Sequence, residues 1–268
     1  MAMKRARATF DSILAEGRRP TGVFVMSSDA STTAVYGSSG YDWVLIDREH
    51  GVMDNSHMIS HLLAAQATGL VPIVRVLENN PTLIQQSLDA GAQGILVPKI
   101  GSADEARRAV AATRYQAGGR GMCPVVPATN FSGSNWGGYS TEMNDNVILM
   151  PLIETKRGVD NIEEIVSVEG VDYIFFGLAD LSQDLGIDME ADLDQLVELW
   201  EHVAATAHKH GVRAGAPLGY GFDALADFGS LDSDMSTLRA AAERSIAAYR
   251  SSEPALVEYQ PAQTLLGR

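Results

Sequence analysis

Residues 43–51 read Trp-Val-Leu-Ile-Asp-Arg-Glu-His-Gly. Four apolar residues without a polar interruption fit a strand buried on both faces, and the chain then turns at once to charged and imidazole side chains. The same change recurs in Val-Pro-Ile-Val-Arg-Val at 71–76, in Ile-Leu-Met-Pro-Leu-Ile-Glu at 148–154 and in Tyr-Ile-Phe-Phe-Gly-Leu-Ala-Asp at 173–180. Buried strands that end in polar residues are what a parallel sheet makes when its chemistry gathers at one edge.

Working outward, the apolar runs predict strands at Gly22–Met26, Trp43–Ile46, Pro72–Val76, Gly94–Pro98, Val147–Ile153, Tyr173–Phe176 and Val212–Ala216, with a weak one at Ser230–Met235. Between them lie amphipathic stretches at His57–Ala67, Thr82–Ala90, Ala103–Arg114, Ile162–Val168, Leu193–His210 and Leu238–Tyr249. This alternation predicts an α/β fold, a (β/α)8 TIM barrel, for which about 250 residues is typical. An N-terminal helix with Phe10, Ile13 and Leu14 on one side precedes it. The glycine-rich stretch Ala117–Gly138 and the poorly apolar eighth strand leave an open doubly wound sheet as the alternative. The expected organisation is a barrel over 1–250 and a tail over 251–268, whose Pro254 and Pro261 turn it away from the barrel, with a neighbouring subunit as one surface to pack on.

The 34 acidic residues against 20 basic give a formal net charge of −14, a field that repels nucleic acid and anionic membrane surfaces. An anionic substrate therefore has to be drawn in by a local cluster of cations. The single cysteine, Cys123, forms no internal disulfide, in keeping with a reducing compartment. The N-terminus lacks the apolar run of a signal peptide, and no segment offers the roughly 18 uninterrupted apolar residues of a membrane span. A cytoplasmic protein is expected.

In a barrel, residues that directly follow the strands converge on one mouth. Glu154 and Asp180 would form a hard, oxygen-rich pair suited to Mg²⁺ or Mn²⁺. Taken singly, Glu154 could instead cap the next helix and Asp180 make a turn with Ser182. His50, three residues after Asp47, could be oriented by that carboxylate as a general base, or be an ordinary hydrogen-bonded histidine at a strand exit. Arg75 lies inside an apolar strand, where its charge requires an anionic partner or a ligand oxygen. His57 and His61 are spaced as half a zinc site, but capping or solvent-facing roles suit them better. Lys99 is expected to be structural or electrostatic rather than a Schiff base. The glycines around Arg120 read as a flexible loop, and Phe131, Trp136 and Tyr139 as a lid or as subunit contacts.

The segments YDWVLIDREHG (41–51), VPIVRV (71–76), LDAGAQGILVPKI (88–100), ADEARRAV (103–110), TRY (113–115), GGRG (118–121), LIET (152–155), GVDYIFFGLADLS (170–182) and LG (185–186) closely resemble the class II pyruvate aldolases of the HpcH/HpaI family. The resemblance runs in order from about residue 8 to 250. It implies a (β/α)8 barrel that assembles as a homo-oligomer, trimer or hexamer, through an exchanged C-terminal helix. It also implies a carbon–carbon lyase that forms or cleaves 4-hydroxy-2-oxo acids from pyruvate, or hydroxypyruvate, and an aldehyde through a metal-stabilised enolate. By the same resemblance, Glu154 and Asp180 hold a divalent metal (Mg²⁺, Mn²⁺ or Co²⁺), Arg75 holds the 2-oxo oxygen, and Asp47 with His50 is the base dyad. Backbone amides at Ala179 and Asp180 receive the substrate carboxylate beside Gly177. Asp89 sits near the mouth, from this chain or a neighbouring one.

The sequence departs from the family pattern at Leu152, where glutamine is common among the substrate contacts, at Leu178 in place of proline, at Phe24 in place of tryptophan, and over Met122–Tyr139. These departures bear on the substrate more than on the bond chemistry. The runner-up activities are an acyl-CoA lyase of the citramalyl or malyl type, for which Arg48, Lys156 and Arg157 would have to bind CoA, and a non-catalytic barrel that binds a 2-oxo acid.

Overall fold

The computed structural model describes residues 5–251. Its elements run α1 (Ala6–Ala15), β1 (Thr21–Val25), α2 (Ser31–Ser38), β2 (Trp43–Asp47), α3 (Asn55–Thr68), β3 (Val71–Arg75), α4 (Pro81–Ala90), β4 (Gly94–Val97) and α5 (Ala103–Thr113). After a short 3-10 turn at Pro127–Thr129 come α6 (Trp136–Asn146), β5 (Ile148–Ile153), α7 (Lys156–Asp160), α8 (Ile162–Val166) and β6 (Tyr173–Phe176). The order ends with α9 (Leu178–Leu185), α10 (Leu193–Lys209), β7 (Arg213–Pro217), β8 (Phe228–Ser233) and α11 (Asp234–Ser251).

The strands pair in chain order, every pair is parallel, and β8 closes on β1. The protein is a (β/α)8 barrel, and the open sheet is set aside. The weak eighth strand forms two residues earlier than its sequence suggests, starting at Phe228. Gly229 and Ser230 give it register against both β1 and β7. Ladder hydrogen bonds carry this strand where side-chain burial does not.

Side-chain alternation divides the core in two. Ile46, Val74, Ile95, Val97, Ile153, Ile174 and Phe176 face outward and join the surrounding helices, and Val44 does so with Tyr36 and Ala65. Trp43, Leu45, Val71, Ile73, Ile148, Met150, Leu152, Tyr173, Phe175 and Phe228 fill the barrel interior. Gly22 makes room for the largest of these, since a Cβ there would lie 2.2 Å from the Trp43 ring. Helix α1 covers the strand-start end. Its Phe10 is fully buried, with ring centroids 6.3, 6.1 and 5.6 Å from Trp43, Tyr173 and Phe228.

The glycine-rich segment between α5 and β5 also lies at this end. It follows a helix rather than a strand, so topology places it opposite the mouth. There Arg5 bonds Glu142 at 2.7 Å and sits 5.9 Å from the centre of the Tyr139 ring, while Trp136 packs edge-on against Tyr115. Of the two alternatives for Trp136, Tyr139 and Phe131, a lid over this chain's own mouth is set aside: the two packed aromatics brace the base of the barrel, and Phe131 lies beside Pro72 and Gln93 at the strand starts.

The chain divides into two compact units, Met1–Asp234 and Met235–Arg268, so that nearly all of α11 belongs to the second. The tail expected from 251 onward lies, beyond Ser251, outside the described residues. Among the described residues no helix is long and apolar enough to cross a membrane.

Because Phe10 packs against three interior aromatics of the barrel floor, replacing it by alanine leaves a cavity with rigid walls. Phe10→Ala is expected to lose roughly 3–5 kcal/mol of stability. The midpoint of urea unfolding reads this, and a loss under about 1 kcal/mol would contradict the plug.

Candidate active site

The register of β2 against β3 sets Asp47 opposite Arg75, the last residue of each strand. Both continue the inward-facing series of their strands, Trp43-Leu45-Asp47 and Val71-Ile73-Arg75. Arg75 grips Asp47 with two parallel bonds, Nε to Oδ1 at 2.8 Å and Nη2 to Oδ2. Asp47 is fully buried and Arg75 nearly so, which makes this a desolvated, two-pronged ion pair. The Arg75 guanidinium also lies 5.5 Å from the centre of the Phe24 ring. Burial opposes its charge, but the Asp47 bonds and the nearby Glu49 and Glu154 carboxylates outweigh it and hold its pKa above the ordinary value.

The remaining bonds of Asp47 correct one expectation. Its Oδ1 accepts the backbone N–H of Glu49 at 3.0 Å and of His50 at 3.3 Å. Asp47 therefore fixes the turn that carries His50 but does not hold the imidazole, because its oxygens are committed to Arg75 and the backbone. The half-exposed His50 ring has its Nε2 4.0 Å from both Glu49 Oε2 and Asp180 Oδ2.

Glu154 follows the inward series Ile148-Met150-Leu152 and is almost wholly buried. It is not the cap of the next helix, a role taken by Thr155, which accepts from the Gly158 N–H. Glu154 instead accepts the Lys99 N–H at 2.8 Å. Burial, together with the charges of Glu49 and Asp180, pushes its carboxyl up to about 8, against the pull of the Lys99 amide and Arg75. Gly177 is required beside it, since a Cβ there would lie 2.5 Å from the Glu154 Cβ.

Asp180 lies in the first turn of α9, where Ser182 bonds the Ala179 carbonyl rather than Asp180. The first-turn N–H groups of a helix have no partner within it and attract negative charge. Phe24, His50, Arg75, Leu152, Glu154, Gly177, Ala179 and Asp180 all line one cavity of about 290 Å³. Residues from β1, β2, β3, β5 and β6, or just beyond them, are thus brought together at the mouth.

Glu49 completes the set, and the sequence reading passed over it. A ligand atom from each of Glu49, His50 and Asp180 lies within 4.8 Å of the others. Glu49 Oε2 is buried without a hydrogen bond, although Arg75 Nη1 stands 3.4 Å away. β2 ends at Asp47, so the bend pinned by Asp47 rather than the strand period places Glu49, whose available signal was its position in the charged run directly after the strand. An acid-rich set with a bare buried oxygen, beside a Glu154 carboxyl raised first by burial and then by its acidic neighbours, fits a divalent cation. Asp180 belongs both to this set and to the expected Glu154/Asp180 pair.

Two further expectations fall elsewhere. Asp89 lies near the C-terminal end of α4, which within its own chain is opposite the mouth, and pairs with the buried Arg120. Arg120 is therefore a packed ion-pair partner rather than part of a loose loop. His57 joins Asp54 in capping α3. His61 is buried instead of solvent-facing, bonded to Thr33 Oγ1 at 2.8 Å and to the Ser27 carbonyl at 3.0 Å, and burial holds its pKa below that of an ordinary histidine.

Fold and mouth together define a parallel (β/α)8 barrel with a cation-suited, acid-rich cavity facing a fixed guanidinium and a helix N-terminus. The chain belongs to the HpcH/HpaI aldolase/citrate lyase family, whose profile matches residues 20–228. It is 40% identical over 168 residues to a 2-dehydro-3,6-dideoxy-6-sulfogluconate aldolase of Pseudomonas putida, a match that covers 62% of this chain and 65% of that relative's length. It is 33% identical over 247 residues to a 5-keto-4-deoxy-D-glucarate aldolase of Citrobacter koseri, covering 90% of this chain and 96% of the other. The crystal structure of an HpcH/HpaI aldolase/citrate lyase family protein from Burkholderia cenocepacia J2315 superposes with a TM-score of 0.83 at 29% identity, covering 92% of this chain and all of that one.

Neutralising Asp47 while keeping its shape tests what holds the mouth together. Asp47→Asn removes the charge that a buried guanidinium grips, leaving it the more distant Glu49, and is expected to cost roughly 3–5 kcal/mol in denaturant unfolding. Unchanged stability would show that Arg75 finds a second partner.

Proposed function

We propose that the mouth cavity makes and breaks the C3–C4 bond of a 4-hydroxy-2-oxo acid, joining or releasing pyruvate, or hydroxypyruvate, and an aldehyde. The chain is a carbon–carbon lyase of the 2-oxo acid type and a metal-dependent class II aldolase, in keeping with its family and with the aldolases it resembles. The observation that carries the reading is the convergence of Arg75, His50, Glu154 and Asp180 on one cavity.

A divalent cation held by Asp180 with Glu154, and within reach of Glu49, would supply a Lewis acid for negative charge on the 2-oxo oxygen; Mg²⁺, Mn²⁺ and Co²⁺ all suit such donors. The first-turn amides of α9, at Ala179 and Asp180, receive the substrate carboxylate next to Gly177. Arg75 donates to the 2-oxo oxygen as charge develops there, and because Asp47 already fixes its plane, little reorganisation is needed. In cleavage, His50 takes the proton of the 4-hydroxyl, the C4 oxygen forms the aldehyde carbonyl, and the electrons of the C3–C4 bond pass towards the 2-oxo oxygen. Synthesis follows the same path in reverse. Leu152 and Phe24 supply an apolar wall on the oxo-acid side.

The CoA reading is the weaker one. Two of the three cations it needs are already paired, Lys156 with Asp160 and Arg157 with Glu105. Retention of a base, a fixed guanidinium and an ion-suited set likewise favours catalysis over simple binding.

The test is deuterium exchange at C3 of pyruvate, followed by NMR with Mn²⁺ present. Exchange is expected to vanish with EDTA and to survive borohydride, and His50→Ala is expected to slow aldol cleavage by roughly two to four decades. Metal-free, borohydride-sensitive exchange would replace this mechanism with a lysine Schiff base.

Assembly as a homo-oligomer, trimer or hexamer, is part of the same proposal. Helix α11 supports it, since it carries Leu238 and Ile246 as exposed apolar side chains. Sedimentation equilibrium is expected to give three or six times the chain mass, and a monomer would overturn it.

A further inference from the structure

Lys99 stands just beyond β4 with a φ of +56°, a left-handed conformation that lysine seldom adopts. Two contacts account for it. Its backbone N–H donates to Glu154 Oε1 at 2.8 Å, and its ammonium lies 3.3 Å from Glu49 Oε1. One residue thus engages two carboxylates of the mouth, one through the main chain and one through the side chain. The ammonium also feels the charges of Asp180 and Glu154. Among the described residues, Lys156 and Lys209 pair elsewhere, with Asp160 and Glu163.

The two cations at the mouth differ in kind. Arg75 is anchored in the barrel wall by its paired bonds to Asp47 and cannot move without breaking them. Lys99 carries its charge on a flexible stem, and its side chain is 60% exposed. Glu49 offers the ammonium one oxygen, while its other oxygen is buried without a hydrogen bond. A positive charge beside Glu49 is therefore favoured, and the one now present is free to swing into solvent.

We propose that Lys99 is an exchangeable counter-cation: its ammonium neutralises Glu49 when no divalent ion is bound, and ammonium and ion compete for the carboxylate set. This rests on the reading that a divalent cation binds at the mouth. Two cations a few ångströms apart repel each other even where solvent screens them in part, so ion entry drives the ammonium outward, and the ammonium in turn weakens ion binding. Lys99 is a positioning residue in this scheme, setting the affinity of the site without touching the reacting atoms.

The test titrates Mn²⁺ by calorimetry into the full-length protein and into Lys99→Met and Lys99→Arg. Lys99→Met is expected to bind Mn²⁺ about tenfold more tightly, whereas Lys99→Arg, which keeps the charge, stays within about threefold of the unaltered protein. A second measurement needs no variant: trace acetylation read by mass spectrometry should label the Lys99 amine several-fold faster when Mn²⁺ is present. Equal or weaker binding by Lys99→Met, or slower labelling with Mn²⁺, overturns the exchange. Absence of Mn²⁺ binding in all three proteins overturns the metal-site reading with it, while equal binding in all three removes only the role of Lys99.

Discussion

The mouth of this barrel is organised around a carboxylate and a guanidinium that face each other at the ends of neighbouring strands. The pairing is decided by register: sliding β3 by one residue would turn Arg75 out of the barrel and leave Asp47 buried alone. A desolvated pair of this kind adds little net stability compared with apolar packing, yet it is costly to break from either side. What it secures is placement. Arg75 becomes a fixed donor in the cavity wall, and the spare lone pairs of Asp47 pin the turn that carries Glu49 and His50.

From that anchor the electrostatics of the mouth follow. Three carboxylates, Glu49, Glu154 and Asp180, are brought close together in a protein that is already acidic, and one of them is almost completely buried. Such an arrangement is unfavourable without positive charge, and the local response is visible in the raised Glu154 carboxyl and in the cations drawn to Glu49.

Strand positions were legible in the sequence because parallel strands are buried on both faces and read as unbroken apolar runs. The strand at Phe228–Ser233 was the least legible, since its place depends on closure between β7 and β1 rather than on its own side chains. The residues of the mouth were legible as polar positions directly after those runs. Which partner each one takes was not. Whether Asp47 holds His50 or Arg75 turns on strand register and on geometry between residues 28 apart, information that does not reside in the local segment. Glu49 was obscured by its position next to His50, and its placement depends on the bend that Asp47 holds rather than on the strand pattern. The aromatic residues of the 117–138 stretch suggested a lid because composition records an affinity for surfaces without saying which end of a barrel is covered. Connectivity supplies that answer, because a segment between a helix and the next strand belongs to the strand-start end.

Phe10 and the aromatic side chains around it close the floor of the barrel, and the interior above them is filled. Among the described residues, this floor leaves the mouth cavity no passage through the barrel to the strand-start end. A ligand that rests against Glu154 and Arg75 therefore comes and goes on the side of the strand ends.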